Sequence, residues 1–189
     1  MARLTSRKNN RWKLHNYSTD GAYFVTICTH QREVILGKVA NEQMILNNAG
    51  AIVDLTWNTL SIKFPEITLG EYQIMPNHLH GIIFLSQDKN TVVTTHELSL
   101  LHNAHELSVP SNALDRRKML LSKAIGFFKM NSAKAINIFR KSEGAKVWQR
   151  SFHDRVIRDY PECCKIELYI RNNPANWNTD PDNIPEIST

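Results

Sequence analysis

Nothing in this 189-residue sequence approaches the run of about 18 apolar residues that a membrane-spanning helix requires, so no transmembrane segment is expected. Cysteine is scarce. Cys28, Cys163 and Cys164 form neither a disulfide framework nor a Cys-x-x-Cys pair, and that points to a reducing cytoplasm. No apolar core follows the basic residues of MARLTSRKNNRWKLHNYS, so a secretory signal is not expected. Acids are missing where bases crowd. Arg3, Arg7, Lys8, Arg11 and Lys13 open the chain without an acidic neighbour, and the bases from Arg116 to Arg150 meet Glu143 alone. The reverse holds after Trp177, where Asp180, Asp182 and Glu186 are the only charges. With a net charge of +5 and a pI near 9.2, two basic segments suggest a polyanionic partner, of which nucleic acid is the commonest.

What is present is one domain's worth of ordinary globular sequence. Ala22–His30 (AYFVTICTH) is rich in β-branched and aromatic residues and predicts a strand. Two short apolar runs flank Ala40–Asn41 and predict a hairpin. A helix is predicted from about Asn48 to Lys63, with Ile52, Leu55, Leu60 and Phe64 near helical spacing and Pro65 ending it. ITLGEYQIMP and HLHGIIFLS predict two more strands around a turn at Asn77.

Residues 86–114 carry HELS twice, at His96–Ser99 and His105–Ser108, amid Thr, Asn and Ser, which marks a surface-loop insertion. A helix is predicted from Asp115 to about Phe139, and a last helix follows Asp159. There Asp159 is the N-cap, Pro161 sits in the first turn, Glu162 completes a capping box and Asn-Asn-Pro ends the helix. Closely spaced strands with interleaved helices make an α+β fold with a mainly antiparallel central sheet.

The chemistry concentrates in MPNHLHGIIF. On a strand, residues two apart share a face, so His78 and His80 point the same way at the start of a strand that is apolar on both faces. Such a pair can hold one cation, or it can simply pack. In the last helix Ile166, Tyr169, Ile170 and Asn173 form one stripe at i, i+3, i+4 and i+7. Tyr169 is there either as a core tyrosine with its hydroxyl at the rim or as a nucleophile. A phenol titrates near pH ~10, so attack at neutral pH needs a neighbouring cation or base. Tyr23 and Tyr72 fall in strand patterns, Tyr17 in the basic arm and Tyr160 at the helix start, while Trp148 and Trp177 read as packing residues.

PNHLHG, VWQRSFHDRVIRD and YIRNNPANW, in that order, resemble the REP-associated tyrosine transposases and related small HUH transposases, and NNRWKLHNYSTDGAYFVTICTHQRE resembles the start of the same family. The likeness runs from about Arg7 to Trp177, interrupted by 86–114. It implies a single HUH-endonuclease domain (ferredoxin- or RRM-like) over 21–177, preceded by a basic arm at 1–20 and followed by an acidic tail at 178–189. His78 and His80 match the histidine pair, Tyr169 the catalytic tyrosine and Asn173 the polar third ligand of a divalent metal, Mg or Mn. In related sequences an aromatic pair often follows WQR, whereas here Phe152 is followed by His153.

The implied activity is cleavage and rejoining of single-stranded DNA near a hairpin through a 5′-phosphotyrosine, without ATP. The implied partner is single-stranded or hairpin DNA, in a cytoplasmic protein associated with the nucleoid when bound to DNA; relatives include both dimers and monomers, so a homodimer and a single-chain site are both open. Candidate phosphate contacts are Arg7, Arg11, Lys123, Lys129, Arg150, Arg155 and Arg158, with Trp12 stacking a base. The alternatives are a catalytically inactive hairpin-DNA-binding protein on the same scaffold and a hydrolytic metal-dependent nuclease.

Overall fold

A computed structural model of the chain describes residues 21–86, 120–180 and 183. The basic arm with Arg7, Arg11, Trp12 and Tyr17 lies outside the described residues, as do 87–119 and the tail positions Asp182 and Glu186.

Strand β1 (Gly21–Cys28) is followed by a 3-10 turn at His30–Arg32 and a hairpin of β2 (Gly37–Ala40) and β3 (Gln43–Leu46). The hairpin turns at Asn41 and Glu42, with φ of 51° and 60°, the pair of positive values that a tight turn matched to strand twist requires. Helix α1 (Asn48–Lys63) begins where Asn47 accepts a hydrogen bond from the Gly50 amide. Strands β4 (Ile67–Met75) and β5 (His78–Leu85), helix α2 (Leu120–Arg140), strand β6 (His153–Ile157) and helix α3 (Tyr160–Asn172) complete the order. Among the described residues the main sheet runs β4-β5-β1-β6 and is antiparallel throughout. The fold is therefore α+β, as expected. None of the described helices is long and apolar enough to cross a membrane.

Every residue of β5 is buried, because the sheet is covered on both faces. On one face Tyr23, Val25, Ile27, Leu79 and Ile83 pack against Val53, Trp57 and Leu60 of α1 and Ile125 and Phe128 of α2. On the other, Ala22, Ile82, Phe84 and Ile157 pack against Cys163, Ile166 and Ile170 of α3. The two faces follow the alternation of β1 and β5, which puts the histidines on the α3 side.

The buried side of α1 differs in part from the expected one. Leu60 is buried and Ile52 and Phe64 pack against the core as their spacing suggested, but Leu55 is 69% exposed and Val53 and Trp57 are buried in its place. The reason is Gly81: without a side chain there, the Trp57 ring approaches β5 closely, and a Cβ at Gly81 would stand 2.6 Å from it. Gly81→Ala therefore overpacks the core and is expected to cost about 2 kcal/mol. A thermal melt should then show Tm lowered by roughly 4–8 °C.

The start of α3 also corrects the sequence reading. Asp159 caps the Glu162 amide as expected, but the Glu162 carboxylate accepts from the Arg158 amide and from the Arg155 side chain. A capping box would have returned it to the Asp159 amide. A basic strand end immediately before the helix competes successfully for that carboxylate.

Candidate active site

The site lies where the starts of β5 and β6, the end of β1 and the α3 surface meet. The turn before β5 is pinned from the segment after β1: the Thr29 amide donates to the Asn77 carbonyl at 2.9 Å, and the Ile35 and Leu36 amides donate to that of Pro76 at 3.0 Å. His78 and His80 then enter the sheet side by side, ring centroids 4.4 Å apart. Both are buried.

Each ring is held through Nδ1. Asn77 Oδ1 lies 2.8 Å from His78 Nδ1, and Thr26 Oγ1, directly across the β1–β5 register from His80, lies 2.9 Å from His80 Nδ1. A carboxamide oxygen only accepts, so His78 carries its proton on Nδ1 and keeps a lone pair on Nε2.

On α3, Tyr169 and Asn173 are one turn apart and share a side of the helix. Tyr169 is 47% exposed, with its hydroxyl 3.3 Å from His80 Nε2. The Phe24 ring stacks on His80 and meets Tyr169 edge-on, which fixes the spacing of the two. Asn173 is 2% exposed and retains helical φ and ψ of −57° and −43°. A following proline, here Pro174, disfavours helical geometry at the residue before it. Instead the Asn173 amide still donates to Ile170, and a further turn continues from Asn172 to Asn176.

Two atoms here lack partners. His78 Nε2 and Asn173 Oδ1 are both buried with no hydrogen-bond partner. A buried orphan typically costs about 1–3 kcal/mol, so two facing one site call for a ligand. A cation fits: two imidazole nitrogens and one carboxamide oxygen are a donor set for a divalent transition ion such as Mn. No group of three or more His, Cys, Asp or Glu gathers among the described residues, and the third donor here is an amide.

Burial lowers the His78 pKa from 6.5 to about 4, helped by the Arg32 charge and opposed by the Asn173 side chain. His78 is therefore neutral, and able to act as a ligand, at any pH near neutrality. In the metal-free protein the unfolded state takes up the proton first as pH falls. The stability is thus fully present above pH 6.5 and is lost as pH falls toward 4. Urea titrations between pH 7 and pH 4 should show wild type losing about 3 kcal/mol more than His78→Gln. Burial also pushes the Cys163 thiol up to about 12, so that cysteine under α3 stays a thiol near neutral pH.

Tyr169 and His80 open onto a cleft of about 560 Å³, lined also by Phe24, Thr26, Arg32, His153, Arg155 and Lys165. His153 and Arg155 alternate on β6 and share the α3 side of the sheet. Of the expected phosphate contacts, Arg155 reaches the cleft, paired with Glu162. Arg150 and Arg158 are exposed at the two ends of β6. Lys123 is exposed on α2, across the sheet from this cleft, and Lys129 directs its ammonium to the carbonyls of Gln149, Arg150 and Ser151. Thr26, Asn77, Arg32 and Lys165 were not picked out by the sequence reading. Lys165 had a signal, one helical turn before Tyr169. Thr26 had one only in the strand register.

No family model matches the chain. An uncharacterized protein of Haemophilus influenzae is 33% identical over 181 residues, covering 95% of this chain and 94% of that protein. Among solved structures, a REP-associated tyrosine transposase bound to a REP hairpin is similar at a TM-score of 0.56 and 14% identity, over 91% of this chain and 74% of that one. That likeness is one of fold, the HUH transposase fold.

Proposed function

The chain belongs to the same family as that uncharacterized Haemophilus influenzae protein and has the fold of a tyrosine transposase, and on these premises we propose that it is a single-strand DNA endonuclease and strand transferase acting near hairpin DNA. The observation that carries the proposal is the 3.3 Å approach of the Tyr169 hydroxyl to His80 Nε2 at the mouth of a cationic cleft. Nucleophile, histidine pair and Asn173 belong to one chain, which supports a site completed without a second copy.

In the proposed step the Tyr169 oxygen attacks a DNA phosphorus. A Tyr–O–P bond forms, the P–O3′ bond breaks, the phenol proton passes to water in the open cleft and the leaving 3′ oxygen takes a proton from water. The product is a 5′-phosphotyrosine beside a free 3′-hydroxyl, and reversal on another strand rejoins DNA with no external energy source. A divalent ion held by His78, His80 and Asn173 would supply Lewis-acid activation of the phosphate, and the imidazole donors favour Mn over Mg. Asn77 and Thr26 hold the two imidazoles in orientation, Phe24 sets the Tyr169 ring, and the half-exposed phenol admits a strand from solvent.

The neighbour's bound REP hairpin supports hairpin DNA as the substrate class here. A catalytically inactive DNA-binding protein is disfavoured by the intact Tyr169, His78, His80 and Asn173. The test is incubation with labelled hairpin-bearing single-stranded DNA and Mn, followed by a denaturing protein gel. A labelled protein band supports the proposal, and cut DNA without labelled protein sinks it in favour of a hydrolytic nuclease.

A further inference from the structure

Arg32 stands at the end of an unusual turn. Gln31 and Arg32 both have positive φ, 53° and 59°, in a region that non-glycine residues occupy only when their surroundings impose it. The surroundings do impose it: the His30 amide donates to Val147 at 2.8 Å, the Arg32 amide to Thr29 at 3.2 Å and the Glu33 amide to His30 at 3.1 Å. The turn sends the half-buried Arg32 side chain back over the end of β1, where it lines the cleft beside Thr26, Cys28, His80 and Tyr169. Its charge also acts on His78.

Taken alone this is an unfavourable arrangement. A guanidinium beside a histidine pair opposes any cation that the pair would bind. Three cationic side chains, Arg32, Arg155 and Lys165, line the cleft with one acidic side chain, Glu162, so the lining carries net positive charge. A cation site and an arginine become mutually favourable once an anion lies between them. A phosphodiester is an anion of that shape, and the planar guanidinium fork matches two of its oxygens.

We propose that Arg32 is a phosphate-binding catalytic residue: its guanidinium holds non-bridging oxygens of the scissile phosphodiester in the cleft that it lines with His80 and Tyr169, where His78, His80 and Asn173 would hold the ion. The assignment rests on the reading of this site as one that cuts DNA. It makes metal and DNA binding interdependent, with Arg32 weakening the first alone and strengthening both together.

The test uses the full chain with Tyr169→Phe to prevent turnover. Mn binding is measured by electron paramagnetic resonance of the free ion, without and with a single-stranded hairpin oligonucleotide. With Arg32 present, the oligonucleotide should tighten Mn binding by about tenfold or more. Arg32→Gln should bind Mn alone several-fold more tightly, and the tightening by DNA should fall below about twofold.

Arg32→Lys keeps the charge and loses the fork, so Mn alone should bind as before while the tightening is reduced. That variant carries the test if Arg32→Gln does not fold. A purely structural arginine would weaken both bindings together or leave both unchanged, and either result overturns the proposal. So does undiminished tightening by DNA in Arg32→Lys. If wild type forms no Mn-dependent adduct with DNA, the nuclease reading itself has failed. If the adduct forms and Arg32→Gln preserves both its rate and the coupling, the Arg32 assignment alone has failed.

Discussion

Tyr169→Phe is expected to abolish the covalent protein–DNA adduct while leaving oligonucleotide binding and folding nearly unchanged. The substitution removes one oxygen and keeps the ring that meets Phe24 edge-on, in a side chain already 47% exposed. The lost hydrogen bond to His80 is worth about 1 kcal/mol at most in such a setting. Loss of the nucleophile is a different order of effect. Adduct formation should drop by about 10⁴-fold or more, equivalent to at least ~5.5 kcal/mol of barrier. Single-turnover cleavage followed on a sequencing gel distinguishes the outcomes. Cleavage that survives at wild-type rate would mean that water is the attacking group and Tyr169 is structural.

Asn173→Leu should give the second large effect, with opposite signs in two measurements. Asn173 Oδ1 is buried and unpartnered, so an apolar side chain of similar volume relieves a desolvation cost. Metal-free stability should therefore rise, by about 1 kcal/mol in urea denaturation. The same change removes the oxygen donor from the set with His78 and His80, and Mn affinity should fall by about 100-fold. Wild type at 100-fold excess of Mn over its dissociation constant should gain about 2.7 kcal/mol of stability, and the variant should gain almost none. A side chain that served only to end α3 would instead lose stability and leave metal binding as it was. Opposite signs in a single variant are hard to obtain from damage to the fold.

Much of this arrangement was legible in the chain, for reasons that differ by element. α1 keeps the predicted bounds Asn48–Lys63 because Asn47 and Pro65 are strong local signals that tertiary contacts do not override. Leu60 is buried as its spacing suggested, and Leu55 was misread because the helix is apolar on more than one side. Leu55 and Ile62 are exposed, 69% and 82%, and only the missing side chain of Gly81, on another element, makes room for Trp57. The histidine pair and the Tyr169–Asn173 stripe were readable because strand and helix periodicity place them without knowledge of the fold. Arg32 was not. It sits in a turn with no periodicity, 46 positions before His78, and the positive φ values that aim it leave no mark in residue type when glycine is not used. Thr26 was hidden for a related reason: its contact with His80 depends on β1–β5 register, which only the assembled sheet specifies.

The most direct test of the central claim is mass spectrometry of the adduct after trypsin digestion. The predicted result is a nucleotide-bearing Ile166–Arg171 peptide, IELYIR, with the mass on Tyr169 through a 5′-phosphate and a free 3′-hydroxyl on the released strand. A nucleotide on any other residue, or cut DNA with no modified peptide, would contradict it.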